Sequence, residues 1–80
     1  MIRIAKTSRL ATDEIIRRAA TFFGKGGEGL EQTSLQDCCV SFAGGGGHVS
    51  VFVADDKTHR TVDVESREFE HQAKKFLESV

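Results

Sequence analysis

Cys38 and Cys39 are the only thiols in the chain, and His48 follows a short way downstream. Thiols near a histidine are raw material for a metal site or for a nucleophile–base pair. Their placement decides which, and the flanking residues set the placement. Cys38-Cys39-Val40-Ser41-Phe42-Ala43 and His48-Val49-Ser50-Val51-Phe52-Val53-Ala54 both alternate, as half-buried strands do. Gly44 to Gly47 between them reads as a hairpin turn, because glycine reaches positive φ without strain. With the turn centred on Gly45-Gly46, Phe42 falls opposite Val49, Val40 opposite Val51, and Cys38 opposite Val53. Cys38 then faces the core. Cys39 lies on the outer face beside Phe52, and His48 joins that face opposite Ala43. Only Cys39 and His48 share a face, well separated along the ladder, so neither a metal set nor a Cys–His pair is expected. Neighbours on a strand point to opposite faces, so a bond between Cys38 and Cys39 is not expected either.

The other chemistry-bearing stretches read more simply. Gly24-Lys25-Gly26-Gly27-Glu28-Gly29 has the glycines of an oxyanion cradle. A nucleotide loop follows a strand and opens a helix, with a Lys-Ser/Thr pair. This one follows a helical pattern and lacks that pair, so it reads as a connection. A hairpin turn uses two glycines, and Gly44 and Gly47 are left for easing strand curvature or for the close approach of a ligand. Asp63 and Glu65 share a strand face and, with no cleft around them, read as solvated carboxylates rather than an acid–base pair. His59 falls in a turn, and His71 on the exposed side of the last helix.

Composition narrows the classes further. Eighty residues make one domain, 1–80, with 11 basic and 12 acidic side chains and a net charge of −1. Such a chain buries about two thirds of the surface its unfolded form exposes. No basic stripe marks a nucleic-acid surface, and no long apolar run marks a membrane span, so neither nucleic acid nor membrane is an expected partner. The lack of spaced, paired cysteines implies a reducing cytoplasm.

The elements that must position these residues follow from periodicity. Ile2 and Ile4 alternate with Arg3 and Ala5 as a first strand. Thr12 before Asp13-Glu14 fits a helix N-cap, the carboxylates favouring the positive end of the dipole. Ile15, Ile16, Ala19, Phe22 and Phe23 form a helical stripe that Gly24 ends in a left-handed conformation. Leu30 to Leu35 reads as an edge strand, turning at Gln36-Asp37. Asp55 to Thr58 is a turn by composition. Arg60 to Glu65 alternates again, setting Val62 opposite Val53 and Val64 opposite Val51. Ser66 stands where it can cap the last helix, and Phe69, Ala73, Phe76, Leu77 and Val80 form its apolar face.

These faces assemble as α+β: strand, helix, four-stranded antiparallel meander, helix. The C-terminal helix is packed across one sheet face, and the first strand lies beside the last. Burying each valine or phenylalanine contributes roughly 1.5–3 kcal/mol against chain entropy. The element order resembles a reduced helix-grip fold of the START and Bet v 1-like proteins. Phe22-Phe23-Gly24-Lys25-Gly26-Gly27-Glu28-Gly29-Leu30-Glu31 and Cys39 to Gly47 resemble a small family of uncharacterised bacterial proteins. The resemblance implies a fold and no reaction; in helix-grip proteins it also implies an apolar ligand between sheet and last helix.

Two functional expectations result, neither of them enzymatic, since no catalytic constellation is visible. The first is protein contact or self-association through the sheet. Its outer face is polar apart from Cys39 and Phe52, so Cys39, Phe52 and His48 form the candidate contact surface, with exposed strand edges as a second route. The second is a carrier of a small apolar ligand lined by Phe42, Val51, Phe69 and Phe76. No cofactor, metal or catalytic residue is expected.

Overall fold

The computed structural model describes residues 2–80, leaving out Met1. Five strands and two helices run in the order β1 (Ile2–Ser8), α1 (Thr12–Phe23), β2 (Glu31–Gln36), β3 (Cys39–Gly44), β4 (Gly47–Asp55), β5 (Arg60–Arg67) and α2 (Glu70–Glu78). The strands form one antiparallel sheet in the order β1-β5-β4-β3-β2. The first strand therefore lies beside the last, and the other four form a meander.

Alternation fixes the register. Phe42 pairs with Val49, Val40 with Val51, Val51 with Val64, and Val53 with Val62. All these side chains are buried on the face that carries the helices. Gly45 and Gly46 make the β3–β4 turn with φ of 57° and 84°, a conformation that suits glycine and matches strand twist. Gly47 is needed for a different reason: a Cβ there would overlap the Arg67 carbonyl oxygen and crowd Glu68 and Phe69.

Both helices share one sheet face, with α1 over β3 and β4 and α2 over β5 and β1. Ile15, Ala19 and Phe23 of α1 and Ala73, Phe76 and Leu77 of α2 are buried against the valines. Phe23 sits at the centre, its ring centroid 5.6 Å from that of Phe42 and 5.4 Å from that of Phe76. Phe22 adds a contact to Phe76 at 5.7 Å. Tilted aromatic pairs at such distances contribute about 0.5–1.5 kcal/mol each beyond area burial. The C-terminal end of α2 is tied down by cations: Lys6 Nζ donates to the Leu77 carbonyl at 2.9 Å, and Arg18 Nη1 to that of Ser79 at 3.0 Å. Both sit where the helix dipole favours positive charge.

Several local expectations are corrected. Ser66 does not cap α2; β5 continues through it, and its side chain is buried inward between Val49 and Ile2 in the ladder. The chain turns into α2 at Glu68, with φ of 74°, and Phe69 stands at the N-cap with no side-chain hydrogen bond. Thr12 is the first residue of α1 rather than its cap. Gly24 ends α1 with φ of −79°, not in a left-handed conformation. The turn at the end of β2 holds Asp37 and Cys38, one residue later than the pattern indicates. Cys38 is consequently exposed in that turn and does not face the core, although its carbonyl still accepts a 2.8 Å bond from Val53 N.

Two stability changes follow. Gly47→Ala lowers the unfolding free energy by about 1–3 kcal/mol through overpacking, while Gly26→Ala, with open space at the added Cβ, leaves it within error in the same urea titration. Ser66→Ala raises stability by about 1 kcal/mol, because the buried Ser66 hydroxyl has no hydrogen-bond partner among the described residues; an unchanged or lower urea midpoint counts against this account.

Candidate functional site

The glycine-rich loop after α1 is a helix terminus rather than an anion cradle. Glu28 N donates to the Phe22 carbonyl and Leu30 N to that of Phe23, both at 2.9 Å. Gly27 N and Gly29 N donate to the Gly24 carbonyl. The loop spends its N–H groups on carbonyls left open at the helix end, so they do not converge on a ligand.

The outer sheet face carries the contact trio. Cys39 lies directly opposite Phe52, which lies opposite Asp63. Phe52 is 38% exposed, and Cys39 is half-buried. His48 is further along β4, opposite Ala43, with Nε2 3.9 Å from Glu65 Oε1. The structure therefore brings Cys39 and Phe52 together and sets His48 apart, about 13 Å away at strand rise. The carboxylates on this face are partnered separately, Asp63 with Arg3 Nε at 3.3 Å and Glu65 with His48. Ser41 Oγ and Ser50 Oγ lie 3.0 Å apart on the rung opposite Glu65. Among the described residues, no group of three or more His, Cys, Asp and Glu side chains gathers in metal-binding geometry.

Cys38 and Cys39 are joined in a disulfide, against the sequence-based expectation. That expectation placed both on one strand, where neighbouring side chains diverge. With Cys38 in the β2–β3 turn the alternation no longer applies.

The carrier-lining residues belong to the interior. Phe42, Val51 and Phe76 are buried and Phe69 is half-buried. Phe23 of α1 fills the space between Phe42 and Phe76.

The edge strand expected from Leu30 to Leu35 is present as β2, and its full exposure goes beyond that expectation. Every residue of β2 is exposed, and β2 is an edge strand whose side away from β3 has no neighbouring strand among the described residues. Its ladder slips between Gln32 and Ser34, leaving Ser34 to Gln36 as the regular segment. Leu35 pairs with the core residue Val40 and so points to the helix side, yet it is 58% exposed. An open groove of about 480 Å³ runs there between α1 and β2, with Ile16, Ala20 and Leu35 as its apolar walls and Arg17 and Gln36 among its polar ones. The available signal was the lack of alternation in Glu31–Gln36, whose one apolar residue is Leu35.

On the far side of α1, Glu14 accepts bonds from both Arg17 and Arg18 in a groove that also holds Thr21, Phe22 and Ser79. The Arg18 hydrogen bond, then that of Arg17, holds the Glu14 carboxyl below its ordinary range.

No family model, curated protein or solved structure matches this chain. Among the described residues, no helix is long and apolar enough to cross a membrane.

The arginine pair gives a direct titration. The Glu14 side-chain carbonyl resonance titrates below the ordinary glutamate range, and Arg18→Gln moves the midpoint upward. A depressed carboxylate stabilises the fold above its unfolded pKa, a contribution lost as pH falls through the folded value. An ordinary midpoint in the parent chain contradicts the pairing.

Proposed function

We propose that this domain works by binding protein, and that its partner is a second copy of the same chain, docked along the free edge of β2. The exposure of β2 carries this reading. The opposite edge, β1, bears Arg3 and Lys6, charges of the kind that discourage edge pairing, and α2 packs beside it. On β2 the regular segment Ser34-Leu35-Gln36 has no formal charge. Antiparallel pairing about a two-fold axis at Leu35 sets Leu35 against its copy and Ser34 against Gln36. Both pairings keep side chains on matching faces, since Ser34 and Gln36 lie opposite the outer-face residues Ser41 and Cys39. Leu35 of each copy then covers the apolar groove wall of the other. So short a contact falls among small interfaces, with a dissociation constant on the order of 10–100 μM.

Other observations support parts of this reading. The first strand beside the last and the terminal helix over the sheet accord with kinship to helix-grip domains. The lack of a spaced cysteine framework, usual in small secreted domains, supports the cytoplasm as the compartment. The carrier reading draws less support, because aromatic rings of the chain itself occupy the space a ligand would need.

Sedimentation velocity across a concentration series tests the proposal. The parent chain moves from monomer toward dimer as concentration rises through the stated range. Leu35→Lys remains monomeric, and Phe52→Asp dimerises as the parent does. A parent that stays monomeric at millimolar concentration overturns the proposal, as does a dimer broken by Phe52→Asp and not by Leu35→Lys.

A further inference from the structure

The Cys38–Cys39 disulfide needs an account of its own. A disulfide stabilises a fold chiefly by closing a loop in the unfolded chain, more so for longer loops. This one joins sequence neighbours and closes no intervening chain. Neither cysteine belongs to the hydrophobic core. Stapling the fold is therefore a poor reason for the bond, and its position suggests chemistry instead. Cys38 is exposed in the β2–β3 turn, open to an attacking group. The backbone on either side is held: the Cys38 carbonyl accepts from Val53 N at 2.8 Å, and Cys39 is laddered between Gln36 and Phe52. An opened pair therefore keeps its two sulfurs close, at a high effective concentration for reclosure.

We infer that Cys38 and Cys39 form a thiol–disulfide exchange site whose substrates are low-molecular-weight thiols and their disulfides. A thiolate attacks Sγ of Cys38, forming a new S–S bond there while the Sγ–Sγ bond to Cys39 breaks. The departing electron pair rests on Cys39 Sγ, which takes a proton from water. A second thiolate attacks the sulfur of the bound thiol group and releases a small-molecule disulfide. Cys38 leaves as thiolate and is protonated in turn. Two thiols are oxidised to one disulfide, and the protein cystine is reduced to two thiols. In reverse, a small-molecule disulfide is the oxidant, and Cys39 resolves the mixed disulfide on Cys38. Neither cysteine is a core residue, so the domain stays folded in both states.

Equilibration of the full chain in mixtures of reduced and oxidised glutathione, followed by acid quench, alkylation and intact-mass measurement, tests this. The expected populations are the disulfide and the doubly alkylated dithiol, interconverting reversibly with the glutathione ratio. The singly glutathionylated form stays below about a tenth of the total, because the neighbouring thiol resolves it. Cys39→Ser, which lacks the resolving thiol, accumulates glutathione on Cys38. The thermal midpoint of the reduced chain lies within about 4 °C of the oxidised one. A pair that stays reduced in excess oxidised glutathione, or oxidised in excess dithiothreitol, overturns the inference. A reduced chain that unfolds also overturns it, since the bond is then a structural staple.

Discussion

Phe23 is the residue on which the architecture turns. It is the last residue of α1, it is fully buried, and its ring meets Phe42 of the sheet on one side and Phe76 of α2 on the other. Neither helix could cover the sheet alone at this chain length. Packed helices stand about 10 Å apart and strands about 4.8 Å apart, so two helices side by side roof about four strands. By meeting both, Phe23 sets the helices together over β3, β4, β5 and β1. The fifth strand, β2, is left without a roof. The exposure of Leu35 thus follows from the width of two helices compared with that of five strands, and no oddity of β2 itself is required.

The same arithmetic bears on what the interior can hold. A single terminal helix over a curved sheet leaves room for a ligand where a second helix would otherwise sit. Here that room is taken by Ile15, Ala19 and Phe23. The helix that does so is also anchored from its middle by Arg18, which bonds to Glu14 on its own helix and to the Ser79 carbonyl beyond α2. An aromatic contact from Phe23 and a hydrogen bond from Arg18 together fix how α1 lies against α2.

Much of this was legible in the residues, for a physical reason. A period-2 pattern on three consecutive strands admits one register if all the valines are to share a face, and a slip of one residue would put them in water. The pairs Val40–Val51, Phe42–Val49, Val53–Val62 and Val51–Val64 follow from that constraint. The outer-face neighbours Cys39 and Phe52 follow with them. Where the pattern weakens, tertiary pairing decides instead. Ser66 is polar and precedes acidic residues, the signature of a cap, yet tertiary pairing with Val49 and Ile2 extends the strand through it. The apolar stripe of α1 was plain, but amphipathicity does not say which part of a sheet a helix covers. Cys38 reads as strand because strand ends carry no mark of their own, and a shift of one residue turns its side chain from core to solvent.

That one residue also explains why the exposed features cluster. The groove beside α1 runs along β2 and reaches Gln36 and Asp37, immediately before the cystine. Edge and turn lie at the same corner because the roof ends before either of them. A turn outside the core can alter its covalent state at little cost to the core, since neither cysteine belongs to it. Its backbone is less free. Gln36 pairs with Cys39 as the last rung of the β2–β3 ladder, and Cys38 is bonded to Val53. Cys39 also pairs with Phe52, so a rearrangement at the turn bears on the sheet through the free edge on one side and β4 on the other.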